Sequence, residues 1–261
     1  TVNGKPVWTG KLQLAPDHVV TAPLRWKRPR RVFVNSMSDL FHEDMPEEWI
    51  DRVFAVMALA PQHTFQILTK RPDRMRAWFG GDPRGHGRGR EVGPVFRVAA
   101  EAGWTMEEGD RAVDAVRNGP WPLSNVWLGC TVEDQTRAIQ RLPDLLNTPA
   151  AKHFISAEPL LGPLNLENAS GDVVFSFNAL TGEGRHLLGY KGKIPKLDWV
   201  IVGGESGPGA RPTHPDWIRS IRDQCAAAGV AFHFKHWGDW APGECSDGPP
   251  TRTEQAATWW N

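Results

Sequence analysis

The chain has 261 residues, 40% of them hydrophobic, and its 30 basic and 30 acidic side chains give a formal net charge of zero. Such a balance provides no overall field that would attract the chain to nucleic acid, although a local basic patch remains compatible with it. No apolar run reaches the roughly twenty residues of a membrane-crossing helix, so we expect no membrane partner. The three cysteines contain no CxxC pair, which argues against a disulfide scaffold and for a cytoplasmic protein.

Six short apolar runs, each ending in polar residues, predict β-strands along the chain. They cover residues 30–39, 64–71, 126–134, 153–159, 199–207 and 231–240. Helical patterns separate most of them, and this alternation favours a parallel sheet or barrel. We therefore expect one α/β domain over residues 1–261, a partial or full TIM-like (βα) barrel with parallel strands. The carboxyl ends of barrel strands meet on one face, which carries the site.

The segments between these strands are predicted to hold helices and two insertions. Pro46 and Pro215 each stand where a helix begins, and Gly229 ends the second of these helices. The first insertion, about residues 80–122, begins with a Gly- and Arg-rich loop, and its residues 95–117 form one helical stretch. The second insertion, about residues 165–197, is expected to contain a hairpin, and a polar tail covers residues 241–261.

The chain contains 13 tryptophans. Because large aromatic side chains mostly pack in cores, we assign Trp26, Trp49, Trp78 and Trp217 to the core or to helix packing.

Polar side chains that can do chemistry follow the predicted strands. They include Ser36, Asp39, Lys70, Glu133, Ser156, Glu158, Glu205 and Lys235. Ser156 and Glu158 alternate with Ala157, so both point the same way from an extended segment. Buried carboxylates need partners, and a barrel mouth that mixes acids with lysines supplies them. A surface or helix-capping role is the alternative for each single glutamate.

The segment GGESGPG at residues 203–209 is the sharpest local signal. Successive glycines such as Gly203 and Gly204 let backbone N–H groups approach a ligand and form a nest for an anion. Glu205 in this loop can accept hydrogen bonds from an ammonium group or a ribose. A tight turn after a strand is the alternative interpretation.

The last strand carries His233, Lys235 and His236. Period-two alternation places His233 and Lys235 on one face and His236 on the other. This run aligns too few ligands for a metal site, so we expect hydrogen-bonded histidines and assign no metal ligands.

Six sequence blocks together resemble the signature blocks of a phage-associated three-cysteine-motif protein family of unknown function. They are VFVNSMSDLFHEDMP, FQILTKRPDRM, VWLGCTVEDQ, FISAEPLLGPL, DWVIVGGESGPGARP and FKHWGDW, and the match covers nearly all of residues 22–240. That family is similar in pattern to the radical S-adenosylmethionine (SAM) superfamily of partial (βα) barrels, including spore-photoproduct-lyase-like proteins.

The resemblance implies SAM and an iron–sulfur cluster as cofactors. Three closely spaced cysteines would hold the cluster and leave one iron open to the amino and carboxylate groups of SAM. Cys130, Cys225 and Cys245 do not have this spacing. Because the chain starts with Thr1 and not Met, we expect the cysteine segment to precede Thr1, and its loss in this member is the alternative.

The resemblance also implies roles for the polar strand ends. Lys70, Glu158 and Lys235 would be catalytic, and Ser36, Asp39, Glu133, Ser156, Gly203, Gly204 and Glu205 would bind the cofactor. Reductive cleavage of SAM would give a carbon radical that abstracts hydrogen from a substrate. The basic run at residues 25–31 and the loop arginines Arg84, Arg88 and Arg90 suit a nucleic-acid or nucleotide substrate. A partner protein encoded nearby is a further expectation.

Two other functions fit the same residues. A metal-dependent phosphoesterase or nuclease would use Asp39, Glu133, Glu158 and Glu205 as oxygen ligands for Mg²⁺ or Mn²⁺. A non-catalytic binding protein would hold a ligand or partner in the barrel mouth.

Overall fold

Strands and helices alternate along the chain, as the apolar runs predict. The computed structural model describes residues 12–80, 92–170, 175–186, 188 and 191–241, so Arg84, Arg88, Arg90, Cys245 and almost all of the predicted tail lie outside it. The strands are β1 (Arg31–Val34), β2 (Thr64–Thr69), β3 (Val126–Thr131), β4 (Lys152–Ala157), β5 (Phe175–Phe177), β6 (Glu183–His186), β7 (Lys191–Lys193), β8 (Trp199–Gly203) and β9 (Ala231–His236). The helices are α1 (Asp17–Val20), α2 (Glu47–Leu59), α3 (Pro72–Trp78), α4 (Val92–Glu101), α5 (Met106–Asn118), α6 (Gln135–Leu146) and α7 (Pro215–Ala228), and a 3₁₀ turn spans Ala22–Arg25.

Six of the strands form one sheet in the order β1-β2-β3-β4-β8-β9. Every neighbouring pair is parallel. The strands follow one another in space as they do in sequence, and the sheet curls into a half-barrel. The predicted parallel, partial barrel is confirmed. Within the described residues β1 and β9 do not pair with each other, so these strands do not close a full barrel.

One face of this sheet forms the main hydrophobic core. Ile67, Leu128, Ile155 and Val200 from four successive strands are fully or almost fully buried there. They pack with apolar residues of the helices, among them Phe54 in α2, Leu142 in α6 and Ile221 in α7. The helices therefore cover this face of the sheet.

The helix ends follow the chemistry of their terminal residues. Helix α2 begins after Pro46, with Glu47 and Glu48 in its first turn, where the helix dipole favours acidic groups. Helix α7 begins at Pro215 and ends at Gly229, whose positive φ of 65° suits a residue without Cβ. No helix within the described ranges is both long and apolar enough to cross a bilayer.

The first insertion differs from its prediction, because its helical stretch is two helices and not one. The chain turns between α4 and α5, where Gly103 has a φ of +79°. Thr105 then caps α5: its hydroxyl accepts from the Glu108 N–H, and the Glu108 carboxylate accepts from the Thr105 N–H. This reciprocal capping box starts a new helix.

The hairpin predicted in the second insertion is present and is extended by a further strand. β5, β6 and β7 form a small antiparallel sheet. Backbone hydrogen bonds from Ala179 N–H to Leu166 O and from Leu197 N–H to Ala179 O connect the flanking segments at 2.8 Å each. Leu166, Ala179 and Leu197 are fully buried in the main core, which fixes the insertion to the barrel.

Replacement of Gly129 by alanine should destabilise the fold. A Cβ at Gly129 in β3 would lie 2.6 Å from the ring of Phe154, its partner in β4. Displacing a buried ring of this kind costs about 1–3 kcal/mol in the free energy of unfolding. The matched control is Gly192→Ala in β7, where a Cβ meets nothing within 4 Å. Urea unfolding of both variants measures the difference, and equal stabilities would contradict the described packing.

Candidate functional site

The polar residues predicted from the sequence lie at one edge of the sheet. Because all six strands are parallel, their carboxyl ends meet at this edge, which we call the C-terminal edge. Asp39 lies in the loop after β1, and Lys70, Glu133, Glu158 and Glu205 follow β2, β3, β4 and β8, with Lys235 near the end of β9. The structure therefore brings the predicted acids and lysines to the same edge.

Among the described residues, Glu158 forms the one cluster of this edge that connects strands which are not neighbours in the sheet. Its carboxylate lies 2.9 Å from Lys235 Nζ and 2.9 Å from His236 Nε2, both on β9. To reach them the side chain passes over β8 at Gly203, where a Cβ would lie 3.1 Å from Glu158 Cγ. The glycine therefore leaves the space through which the glutamate contacts β9.

His236 was missed as a site residue, because the prediction placed it on the opposite face from Lys235. The register of β8 and β9 shifts after Val202, and Gly203 pairs with His236. Such an irregularity lets two successive residues of one strand turn to the same side. Both Lys235 and His236 consequently contact one carboxylate.

Asp39 ties the loop after β1 to the end of β2. Its carboxylate accepts hydrogen bonds from the Thr69 hydroxyl at 2.7 Å and from the backbone N–H groups of Phe41 and Lys70 at 2.9 and 3.0 Å. The Arg71 guanidinium donates a further bond at 3.2 Å. The Asp39 carboxylate thus accepts four hydrogen bonds from the protein, which connect the loop after β1 to β2. It would have to give up some of these bonds to bind a cation.

Glu133 is held in the same way by a neighbouring arginine. Arg141 of α6 donates to Glu133 at 2.8 Å and to both oxygens of Thr131 at 2.9 Å. The Thr131 hydroxyl also lies 3.1 Å from Glu133. Both charged side chains are largely shielded from solvent, and a charge in that environment needs such a partner.

The glycine-rich loop after β8 uses its N–H groups within the protein. The Gly207 N–H donates to the Asp239 carboxylate at 2.9 Å, and the Gly204 N–H donates to His236 O at 2.9 Å. Arg211 donates to Glu205 through its backbone and its guanidinium, at 2.8 Å for each bond. The acceptors of these donors are therefore two carboxylates and one backbone carbonyl of the chain itself, a difference from the predicted ligand nest.

The remaining predicted residues lie at the edge with different exposures. The Lys70 side chain is exposed, and its backbone N–H donates to Asp39. Ser36 is exposed in the loop after β1, whereas Ser156 is only 4% exposed in β4 and pairs with Thr131 of β3. In the basic run at residues 25–31, the Arg30 guanidinium lies 4.4 Å from the centre of the Trp26 ring.

The donor set of the described residues does not assemble a metal or cluster site. No group of three or more His, Cys, Asp or Glu side chains in these residues is placed to hold a metal ion. Cys130 in β3 and Cys225 in α7 are buried apart from each other in the core. Burial raises the pKa of both thiols, that of Cys225 to about 11, which disfavours the thiolate that metals bind.

The face of the sheet opposite the helices is a feature that the sequence analysis missed. Residues paired in a parallel register point to the same side, and here they are Phe33, Gln66 and Trp127 on β1 to β3, and Phe154 and Trp199 on β4 and β8. Leu68, Ser156, Ile201 and His233 belong to the same side, which we call the open face. None of its apolar residues belongs to either hydrophobic core found in the described chain. Phe33 is 45% exposed on the edge strand β1, whereas Phe154 and Ser156 on β4 are only 1% and 4% exposed. The exposure of this face therefore differs from strand to strand.

Residues 2–258 match a family model described as a protein of unknown function, DUF5131. The chain belongs to this family. No curated protein and no solved structure matches it. Membership of the DUF5131 family therefore covers almost the whole chain without assigning an activity, and the function must be argued from the site.

Acidification should weaken the fold through Glu205. Hydrogen bonds from the Arg211 side chain and backbone lower the pKa of Glu205 from 4.5 to about 2. A carboxylate with a depressed pKa in the folded state stabilises the fold above the unfolded pKa, and this contribution is lost as the pH falls through the folded pKa. The free energy of unfolding should therefore decline between pH 4.5 and about 2.

The variant Glu205→Gln should remove this part of the pH dependence. Urea unfolding at a series of pH values measures it. Glu167→Gln is the control, because Glu167 is exposed and no ion pair of its carboxylate is found among the described residues. The assignment fails if Glu205→Gln and wild type lose stability in parallel over this window.

Proposed function

We propose that the protein is a radical-SAM-like enzyme of phage or prophage origin that acts on a nucleic-acid or nucleotide substrate at the C-terminal edge of its half-barrel. The cluster of Glu158, Lys235 and His236 beside the open face is the observation that carries this proposal. The six parallel strands in sequential order agree with the partial barrel that the sequence resemblance implies.

The cluster has the chemistry to bind a group that carries both an ammonium and a carboxylate, as the methionine part of SAM does. Glu158 is an acceptor for the ammonium, and Lys235 and His236 are donors for the carboxylate. Lys235 is 52% exposed and Glu158 only 22%, so a ligand can reach the lysine while the glutamate stays partly shielded. Hydrogen bonds to charged groups are about twice as strong as those between neutral groups.

The described residues do not fit the role of cluster ligands, because Cys130 and Cys225 are buried in separate elements of the core. The roles that we propose for Glu158, Lys235 and His236 are therefore to bind and orient a ligand. Any iron–sulfur cluster would use thiolates from outside the described residues.

A non-catalytic binding protein is the second candidate. Asp39, Glu133 and Glu205 each form an ion pair with an arginine of the chain. These pairs stabilise loops, and they occupy carboxylates that a catalytic role would require to be free for substrate. The same pairing weighs against the metal-dependent phosphoesterase, whose carboxylates would have to turn away from these arginines to bind a cation.

Anaerobic purification of the full-length protein tests the proposal. Iron and acid-labile sulfide in the protein, together with release of 5′-deoxyadenosine from SAM under reducing conditions, are the expected results. A protein without iron and sulfide that binds ligand would instead be a binding protein. Cleavage of nucleic acid that depends on added Mg²⁺ or Mn²⁺ would favour the phosphoesterase.

The variants Glu158→Gln and Lys235→Met should weaken SAM binding about 10- to 100-fold, because each removes a hydrogen bond between charged groups. Isothermal calorimetry on the anaerobic protein measures the affinity. Lys152→Met is the matched control, since Lys152 forms a similar pair with Asp198, at 2.9 Å, at the opposite end of the strands. Equal affinities of all three variants would remove the cluster from the SAM site.

A further inference from the structure

Four aromatic rings form a continuous strip across the open face. The ring centres of Trp127 and Trp199 are 6.3 Å apart, and those of Phe154 and Trp199 are 5.6 Å apart. The His233 ring lies 6.3 Å from Trp199. The strip therefore crosses four adjacent strands, β3, β4, β8 and β9.

The two tryptophans of the strip are more exposed than its phenylalanine. Phe154 is 1% exposed, whereas Trp127 and Trp199 both keep part of their surface accessible. All three are missing from both hydrophobic cores of the described chain. Trp199 packs against Phe154, and both tryptophans keep part of their own surface accessible.

One exposed cation of the open face can contact a phosphate. It is Arg31 on β1, for which no ion pair is found among the described residues. Lys235 is paired with Glu158, and Lys152 with Asp198, so these two pairs add no net charge to the face. Gln66 on β2 lies beside Trp127, and His233 is the last ring of the strip. Both side chains can donate hydrogen bonds to phosphates or to base edges.

We propose that the open face binds single-stranded nucleic acid by stacking bases on Trp127 and Trp199. This inference rests on the nucleic-acid substrate of the proposed function and gives it a binding surface. Four strands about 4.8 Å apart span roughly 14 Å, which is wider than one base. The aromatic strip therefore suits a nucleic-acid single strand better than a single nucleotide. In a duplex the base faces are not accessible for stacking on the tryptophans.

Fluorescence anisotropy of a labelled oligothymidine of about 15 nucleotides tests this surface with the full chain. Trp127→Leu and Trp199→Leu should each weaken binding about tenfold, because stacking on an aromatic ring is lost while an apolar side chain is kept. Trp217→Leu is the matched control: this half-buried tryptophan lies on α7, against the main core. Circular dichroism and thermal unfolding check that each variant is folded.

Salt dependence gives a second measurement that does not rely on the rings. Arg31→Gln should reduce the slope of log affinity against log salt by about 0.7, the value for one phosphate contact in a single strand. Duplex DNA and thymidine monophosphate should bind at least tenfold more weakly than the single strand.

Several results would overturn the proposal. The first is that the folded protein does not bind the oligonucleotide. The second is that a double variant with Trp127→Leu and Trp199→Leu binds it as tightly as wild type does. The third is that thymidine monophosphate or duplex DNA binds as tightly as the single strand. A dimer in sedimentation experiments that the double variant dissociates would assign the open face to a second copy of the chain. The assay needs neither iron nor SAM, so oligonucleotide binding without SAM cleavage would refute only the proposed reaction.

Discussion

The structure depends on one constraint: parallel strands that follow one another in space require crossovers of one hand, which place the helices on one face of the sheet. That face of the half-barrel is buried beneath α2, α3, α6 and α7. A closed barrel fills its other face with its own side chains. Because β1 and β9 do not pair within the described chain, the opposite face stays outside both cores. The same constraint gathers the polar strand ends at one edge.

The carboxylates of that edge fall into two kinds. Asp39, Glu133 and Glu205 each bind an arginine and backbone or hydroxyl donors close to them in the fold, and so they fix the loops after β1, β3 and β8. Glu158 is different because its partners lie beyond the neighbouring strand. Glu133 and Arg141 form the most shielded of these pairs, and removing one partner of such a pair leaves the other charge uncompensated. The loops after β3 and β8, which Glu133 and Glu205 hold, lie on either side of β4 and Glu158 in the sheet order.

The six strands of the main sheet could be predicted from the sequence, because each apolar run ended in residues that stop a strand or cap a helix. It also placed the starts of α2 and α7. The break between α4 and α5 was missed, although Thr105 and Glu108 have the spacing of a capping box. The prediction relied on helical periodicity, which does not register a turn of a few residues.

The site was less predictable, because its contacts depend on features that residue spacing does not show. His236 joins Glu158 through a register shift between β8 and β9, and Gly203 contributes by lacking a side chain. The open face was missed for another reason: tryptophans were assigned to cores, as holds for Trp78, which is 4% exposed. Trp127 and Trp199 lie on strands whose other side chains are mostly buried. Only the three-dimensional position of the helices shows which side of each strand is covered.

The Glu158 cluster and the aromatic strip share one side of the sheet but lie at different heights along the strands. Trp199 begins β8 and Gly203, beneath Glu158, ends it. Four residues of extended strand separate them by roughly 13 Å.

A nucleic-acid strand stacked on the tryptophans would therefore reach the C-terminal edge within a few nucleotides. In the proposed complex the aromatic strip binds the strand by stacking that tolerates any base, and the edge acts on a nucleotide further along. Binding of the strand and choice of the reacting nucleotide are thus assigned to separate groups of residues on one continuous surface.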